Sequence, residues 1–390
     1  MFLLLSSCKG GGQQVPSNVV PPSPRDVRDT VSIFIVGDIM CHGAQAKSAF
    51  NIYSSSHPGA SRDDHQAYDW STSFAGIEGE IRDADISVGN MEFPFGGAPF
   101  RGYPAFSAPD SYLDYVVGAG FDVLLAANNH ILDMGRAGIE RTIALYDKME
   151  AETPVRYTGI SSDEEDDAGR YPLIVECKGL RIAFVNFTYG TNADIPRLWP
   201  KVNRMKKDDI SKAMERAAEA DYVIVLPHWG TEYARHHSKE QESLAEWLVE
   251  SGADAIVGAH PHRVQDMELR ERVSPVDSSA KLVPVFYSIG NAVSNQNDPE
   301  GRLELVVTLR IVRSSLSGRS AMIEPLWQYV WCTKPGMITD GYTVIPVKEY
   351  LDRPDAWKGW KSDYELMKTT YEKVKKNTLI EDTDEEDRPS

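Results

Sequence analysis

The sequence predicts an α/β protein built on mixed sheets, and three observations predict it. Short apolar runs rich in β-branched residues recur along the chain, and several stop at glycine or a polar side chain. Two of them, Tyr222 to Leu226 and Ala255 to Val257, flank an amphipathic helix, which is the pattern of a βαβ crossover. Two later runs, Leu303 to Val312 and Ala321 to Trp331, alternate apolar and polar residues as antiparallel strands do. Loops converge at the carboxyl ends of strands in open α/β sheets, so a functional site is expected at the strand exits.

In chain order, Val31 to Val36 reads as a buried central strand ending at Gly37-Asp38, with Cys41, His42 and Gly43 after it. Asp38 there presents a carboxylate at the sheet edge or caps a helix. A helical segment carrying Phe74, Ile77 and Ile81 leads to a strand over Ile86 to Val88 that ends in Gly89-Asn90-Met91-Glu92. Residues 94 to 109, rich in Pro and Gly, read as a long irregular loop of the kind that often carries function. Phe121 to Ala127 is a third strand, with Asn128-Asn129-His130 at its exit and a helix bearing Ile139, Ile143 and Tyr146 beyond. Leu173 to Cys177 and Arg181 to Phe187 form a hairpin around Lys178-Gly179. A helix over Asp209 to Ala220 precedes the βαβ unit. The unit's own helix opens with the capping-box pattern Ser238-Lys239-Glu240-Gln241 and stops at Gly252. Val283 to Ile289 is a further buried strand ending at Gly290-Asn291, and a Lys- and Glu-rich helix follows Asp355.

With 390 residues the chain can bury a large core, and 42% hydrophobic with 25% charged residues is the composition of a globular protein. A net charge of −17 without a basic patch argues against a nucleic-acid partner. The acidic runs at Asp163 to Asp167 and near the C-terminus read as solvated loop and tail. The cysteines, at 8, 41, 177 and 332, are too dispersed for a zinc knot, and a disulfide among the last three stays open. Phe2 to Cys8 is a short apolar run followed by two serines and a cysteine, and residues 9 to 24 are rich in Gly, Gln, Pro and Ser. This resembles the end of a bacterial lipoprotein signal followed by a flexible tether, so a membrane-anchored lipoprotein facing the extracytoplasmic side is expected, an upstream start being open. The expected organisation is a signal remnant and tether over 1–30, a main domain over 31–335, and an extension with a helix and acidic tail over 336–390.

The polar groups at strand exits are Asp38, His42, Asn90, Glu92, Asn129, His130, His228, His260 and His262. Singly, each has an ordinary explanation: a histidine at a strand end is usually structural, and Asn128 and Asn129 can be turn residues with left-handed backbone. Together they place five of the nine histidines, with carboxylates and amides, where one sheet edge would collect them. Imidazole and carboxylate are ligands for Zn, Mn and Fe, and two neighbouring ions need six to eight such groups.

Several of these stretches carry a family resemblance. They are Gly37-Asp38, Gly89-Asn90-Met91-Glu92, Asn128-Asn129-His130 with Asp133 and Gly135, and His228-Trp229-Gly230-Thr231-Glu232-Tyr233. Gly258-Ala259-His260-Pro261-His262 with Gln265 and Tyr287-Ser288-Ile289-Gly290-Asn291 complete the set. In this order, over roughly residues 31 to 296, the chain resembles the CapA family of bacterial capsule and poly-γ-glutamate synthesis proteins, related to calcineurin-like metallophosphatases. The resemblance implies a four-layer α/β/β/α sandwich with a metal-binding edge and one or two divalent ions, Mn, Zn, Fe or Mg. Asp38 and His262 are implied to serve one metal, and Asn129, His228 and His260 the other, with Glu92 as bridging carboxylate. His130 is implied as the general acid, oriented by Asp133. Glu232, Arg263 and Asn291 are the expected substrate contacts. Met40 departs from the superfamily, which has a histidine there, and whether His42 substitutes is open; Glu92 replaces the usual aspartate.

Two functions follow from this resemblance. The first is metal-dependent hydrolysis of a phosphoester or related bond in capsule or poly-γ-glutamate biosynthesis. The alternative is a non-catalytic, metal-assisted holder of an anionic polymer within a membrane synthesis or export complex.

Overall fold

The computed structural model describes residues 28–196, 198–273, 280–358 and 361–383. The Phe2–Cys8 stretch and most of its tether lie outside the described residues. Among those residues no helix is long and apolar enough to cross a membrane.

The chain begins with β1 (Arg28–Ile39), α1 (Gly43–Ser56), α2 (Glu78–Asp83), β2 (Ile86–Met91), α3 (Ser111–Ala119), β3 (Val123–Leu125), α4 (Gly135–Glu152), β4 (Arg156–Thr158), β5 (Ile160–Ser161) and α5 (Glu164–Arg170). The hairpin β6 (Leu173–Cys177) and β7 (Leu180–Thr188), then β8 (Lys201–Val202) and α6 (Lys207–Ala217), lead to the crossover β9 (Tyr222–His228), α7 (Lys239–Glu250), β10 (Ala255–Val257). The remainder is β11 (Met267–Val273), β12 (Ala280–Phe286), β13 (Leu303–Ser314), β14 (Ser320–Thr333), β15 (Thr343–Pro346), α8 (Val347–Tyr350) and α9 (Lys361–Thr378).

These strands build a seven-stranded sheet in the order β15-β14-β13-β1-β2-β3-β4 and a six-stranded sheet in the order β11-β12-β10-β9-β7-β6. Both are mixed: β1 runs parallel to β2 and antiparallel to β13, and β12 runs parallel to β10 and antiparallel to β11. Alternation along a strand sends its two faces to different cores. Ile33 and Ile35 of β1 join Ile182 and Phe184 of β7, and Ile224 of β9, in the core between the sheets. Phe34 and Val36 face the helices α1, α3 and α4, while Ala183 and Val185 of β7 pack on α6 and α7. Helix, sheet, sheet, helix is thus the order of layers, the four-layer sandwich that the family resemblance implies. α9, from the C-terminal extension, inserts Met367, Tyr371 and Val374 into the inter-sheet core.

Some elements differ from the sequence reading. The acidic run at 163–167 is not loop: Asp163 accepts from the Asp166 backbone N–H at 3.0 Å and caps α5, whose first turn carries four acids against the helix dipole. Nor is the whole C-terminal tail solvated, since Asp382 is buried and accepts from Tyr371 Oη at 2.6 Å and the Tyr329 N–H at 2.8 Å. Asp384 and the acids after it lie outside the described residues. Cys41, Cys177 and Cys332 are all free thiols, so no disulfide joins them.

Candidate metal centre

One edge of the sandwich receives side chains from both sheets. Asp38 leaves β1, Glu92 follows β2, and Asn129 and His130 follow β3, all from the larger sheet; His228 ends β9, and His260 and His262 follow β10 in the smaller one. The β1–β2 register shifts between Ile35 and Asp38. Gly37 sits in that irregularity, where a Cβ would fall 2.0 Å from the Gly290 carbonyl oxygen, so only glycine lets the two backbones approach.

The groups interlock. Asn90 Nδ2 donates to Asp38 Oδ1 at 2.6 Å and lies 3.2 Å from His228 Nδ1. His260 donates its backbone N–H to Asp38 Oδ2 at 3.1 Å, and His262 Nδ1 lies 3.3 Å from the same oxygen. Glu92 Oε1 is 3.6 Å from His228 Nε2 and 3.7 Å from His262 Nε2, so one carboxylate faces both halves of the site. Asn129 Oδ1 is 2.8 Å from His228 Nε2. Two of the groups of ligand atoms gathered within 4.8 Å contain Glu92: Glu92 with His228 and His260, and Glu92 with Asp38 and His262. Of the residues that the resemblance implies for two metals, His228 with His260 and Asp38 with His262 fall into two groups that share Glu92, and Asn129 touches the first through His228.

These residues fit a cation. Both oxygens of Glu92, together with Asn90 Oδ1, Asn129 Nδ2 and His260 Nδ1, are buried without a hydrogen-bond partner. A buried polar atom with no partner is rare, and an unpaired buried carboxylate is strongly unfavourable, so their concentration here, four of the five on oxygen or ring-nitrogen atoms able to serve as ligands, fits a cation site. Burial raises the Glu92 carboxyl well above the ordinary range, with neighbouring Asp38 adding to the shift. Burial alone would also raise Asp38, but the His262 contact and the nearby His228 outweigh it and hold that carboxyl low. Burial lowers His228 to about 3 and His260 to about 2, leaving both rings neutral with a lone pair to give a metal.

His130 stands beside this cluster. Its Nδ1 lies 2.7 Å from Asp133 Oδ2, an oxygen that also accepts the Phe106 N–H at 2.8 Å, and its ring packs edge-on against Phe106. With Nδ1 donating to the carboxylate, Nε2 is the nitrogen able to exchange a proton.

Other sequence-predicted residues take different places. His42 is the N-cap residue of α1, its Nδ1 accepts from the Asn295 N–H at 3.2 Å, and it belongs to neither ligand group. Met40 is buried in the core under the helices, 2% exposed. Arg263 is engaged by Glu300 at 2.8 Å and Asp298 at 2.6 Å, so its guanidinium holds the 298–300 turn rather than an anionic substrate. Asn291 donates to the Gly301 carbonyl at 2.9 Å, which leaves its oxygen to accept from His262 Nδ1 at 2.8 Å. It therefore fixes the tautomer that turns His262 Nε2 towards Glu92, a positioning role that sequence reading took for substrate contact. Asn128 and Asn129 are not left-handed; that conformation falls on Tyr233, His260 and His262. Asn90 was gathered with the exit residues in sequence, and its link between Asp38 and His228 emerges only in space.

Comparison with known proteins bears on the family. The capsule biosynthesis protein CapA of Bacillus anthracis is 28% identical over 293 residues, 72% of this chain and 64% of that protein. The PGA biosynthesis protein CapA of Bacillus subtilis is 30% identical over 182 residues, covering 45% and 43%. The chain thus spans from under half to under two thirds of these relatives. Among solved structures it is similar to a phosphatase from Mycoplasma pneumoniae, with a TM-score of 0.43 and 12% identity over 78% of this chain and 95% of that one. Residues 32–296 match the family described as "Bacterial capsule synthesis protein PGA_cap", and with the motifs met in the same order along those residues, the chain belongs to that family.

Proposed function

We propose that this chain is a capsule or poly-γ-glutamate biosynthesis protein that hydrolyses a phosphoester or related bond with one or two divalent ions. The observation that carries the reading is the pair of ligand groups sharing the buried, unpartnered carboxylate of Glu92. The polymer context is supported by the family match and by the names of the two Bacillus relatives. A divalent ion bound there polarises a substrate oxygen and makes water a better nucleophile. The chain supplies the rest. Asn90 and Asn291 hold Asp38 and His262 in place, the dry surroundings strengthen every electrostatic contact with the substrate, and Asp133 fixes the His130 ring so that Nε2 delivers a proton to the leaving oxygen.

The test is hydrolysis of a generic phosphodiester by the full chain supplied in turn with Mn, Zn, Fe and Mg, alongside metal analysis. The expected result is turnover that falls about 10²–10⁴-fold in His130→Ala while metal content is unchanged. A folded, metal-loaded chain with no turnover contradicts the enzymatic reading.

One observation favours the non-catalytic alternative. Met40, standing where the superfamily has a histidine, lies in the hydrophobic core, which leaves the Asp38 group with three ligands of these types. On that reading the edge holds an anionic polymer through bound cations, and His130→Ala, which removes no member of either ligand group, leaves polymer production intact in cells.

A further inference from the structure

Resting on that metal-centre reading, the geometry points to Glu232 as an additional metal ligand, a solvent-side carboxylate that closes over the ions from the mouth of the site. Sequence placed it among substrate contacts. In the structure its carboxylate lies within 4.8 Å of ring nitrogens of both His260 and His262, which belong to the two different ligand groups. Glu92 meets the same two groups from the buried interior, whereas Glu232 is exposed. The ions would therefore lie between one buried and one accessible carboxylate.

Three independent features support this placement. His260 is 2% exposed and its Nδ1 has no hydrogen-bond partner, so the ring that Glu232 approaches carries an unsatisfied ligand atom. The loop bearing Glu232 is also fixed against the histidine loop rather than merely near it. Tyr233 donates its N–H to the Pro261 carbonyl at 2.8 Å, Trp229 donates to Ala259 at 3.1 Å, and Gln265 Nε2 donates to the carbonyls of Ala234 and His236 at 3.0 Å each. Finally, Tyr233, His260 and His262 all have positive φ, at 65°, 99° and 56°. Left-handed backbone at bulky residues is unfavourable and persists where surrounding structure imposes it, commonly at ligand-holding sites. Here it lies on both loops that bring the carboxylate and the two imidazoles together.

The chemistry is that of a third carboxylate for a hard or borderline divalent ion such as Mn or Zn. Because Glu232 faces solvent, it is the ligand an incoming anionic group can displace without disturbing the buried ones. The test is calorimetric titration of the chelator-stripped full chain with Mn(II), comparing wild type, Glu232→Gln and Glu232→Asp. Gln removes the charge, whereas Asp keeps it but shortens the reach by one methylene. Both variants are expected to weaken manganese binding at least about tenfold, with unchanged circular dichroism. Wild-type affinity in both variants overturns the inference, as does a loss confined to Glu232→Gln, which would mean that only the field of the charge matters. A folded wild-type chain that takes up none of manganese, zinc, iron or magnesium overturns the underlying metal reading as well. Normal uptake with unaffected Glu232 variants leaves that reading standing and removes only this one.

Discussion

Glu92 concentrates the energetic conflict of the site in one side chain: a fully buried carboxyl, near Asp38, with neither oxygen hydrogen-bonded. Without a cation that arrangement opposes folding, because the charge must be held unpaired or be neutralised by a proton. Glu92→Gln keeps the shape and removes the charge. In the presence of chelator the variant is expected to unfold at the same free energy as wild type or about 1–3 kcal/mol higher. With saturating divalent metal the order reverses, since only the carboxylate gains from the ion. Thermal melts of both proteins with and without metal check this, and a variant less stable than wild type in chelator contradicts it. Arg263 and Asn291 show why single residues were harder to assign from sequence. Their partners, Glu300 and Gly301, come from a turn whose approach no local pattern announces.

At the scale of elements, strands were legible and polar helices were not. β1, β2, β7 and β9 are apolar runs whose fully buried faces leave few alternatives, and their polar exits were visible as such. α1 escaped notice because its buried residues are Gln45, Ser48 and Ala49, a face with almost no hydrophobic periodicity, and because a histidine stands at its N-cap. α5 escaped because Asp167 is its only buried residue. What sequence could not show is how sharply a strand exit is shaped. Gly37 lets β1 pass the Gly290 carbonyl and donates its N–H to the Glu304 side chain, in the same irregular stretch that delivers Asp38. Gly37→Ala is therefore expected to destabilise the protein by about 1–3 kcal/mol or more and to weaken metal binding, because backbone has to move where Asp38 is aimed. Denaturant unfolding and a metal titration measure the two effects, and an Ala variant with wild-type values in both would show that the close approach is not what places Asp38.

For the whole molecule, the centre is a seam. Asp38, Glu92 and Asn129 come from the seven-stranded sheet, and His228, His260 and His262 from the six-stranded one. An ion held by both groups of ligands would join the two halves of the sandwich at their common edge, as the inter-sheet core does behind it. The α/β class and the strands could be read in advance because apolar runs and alternation are written locally, and the four-layer arrangement came from the family resemblance; the seam could not, because it depends on how two sheets face each other. Binding to the folded state alone stabilises it by about 2.7 kcal/mol at a hundredfold excess over Kd. The most direct measurement is metal uptake by the chelator-stripped full chain, followed by elemental analysis and by thermal unfolding on the same samples. The account predicts one or two divalent ions per chain, a higher melting temperature when they are bound, and loss of both effects in Glu92→Gln. A folded chain that takes up no divalent ion, or one whose uptake is indifferent to Glu92, would contradict it.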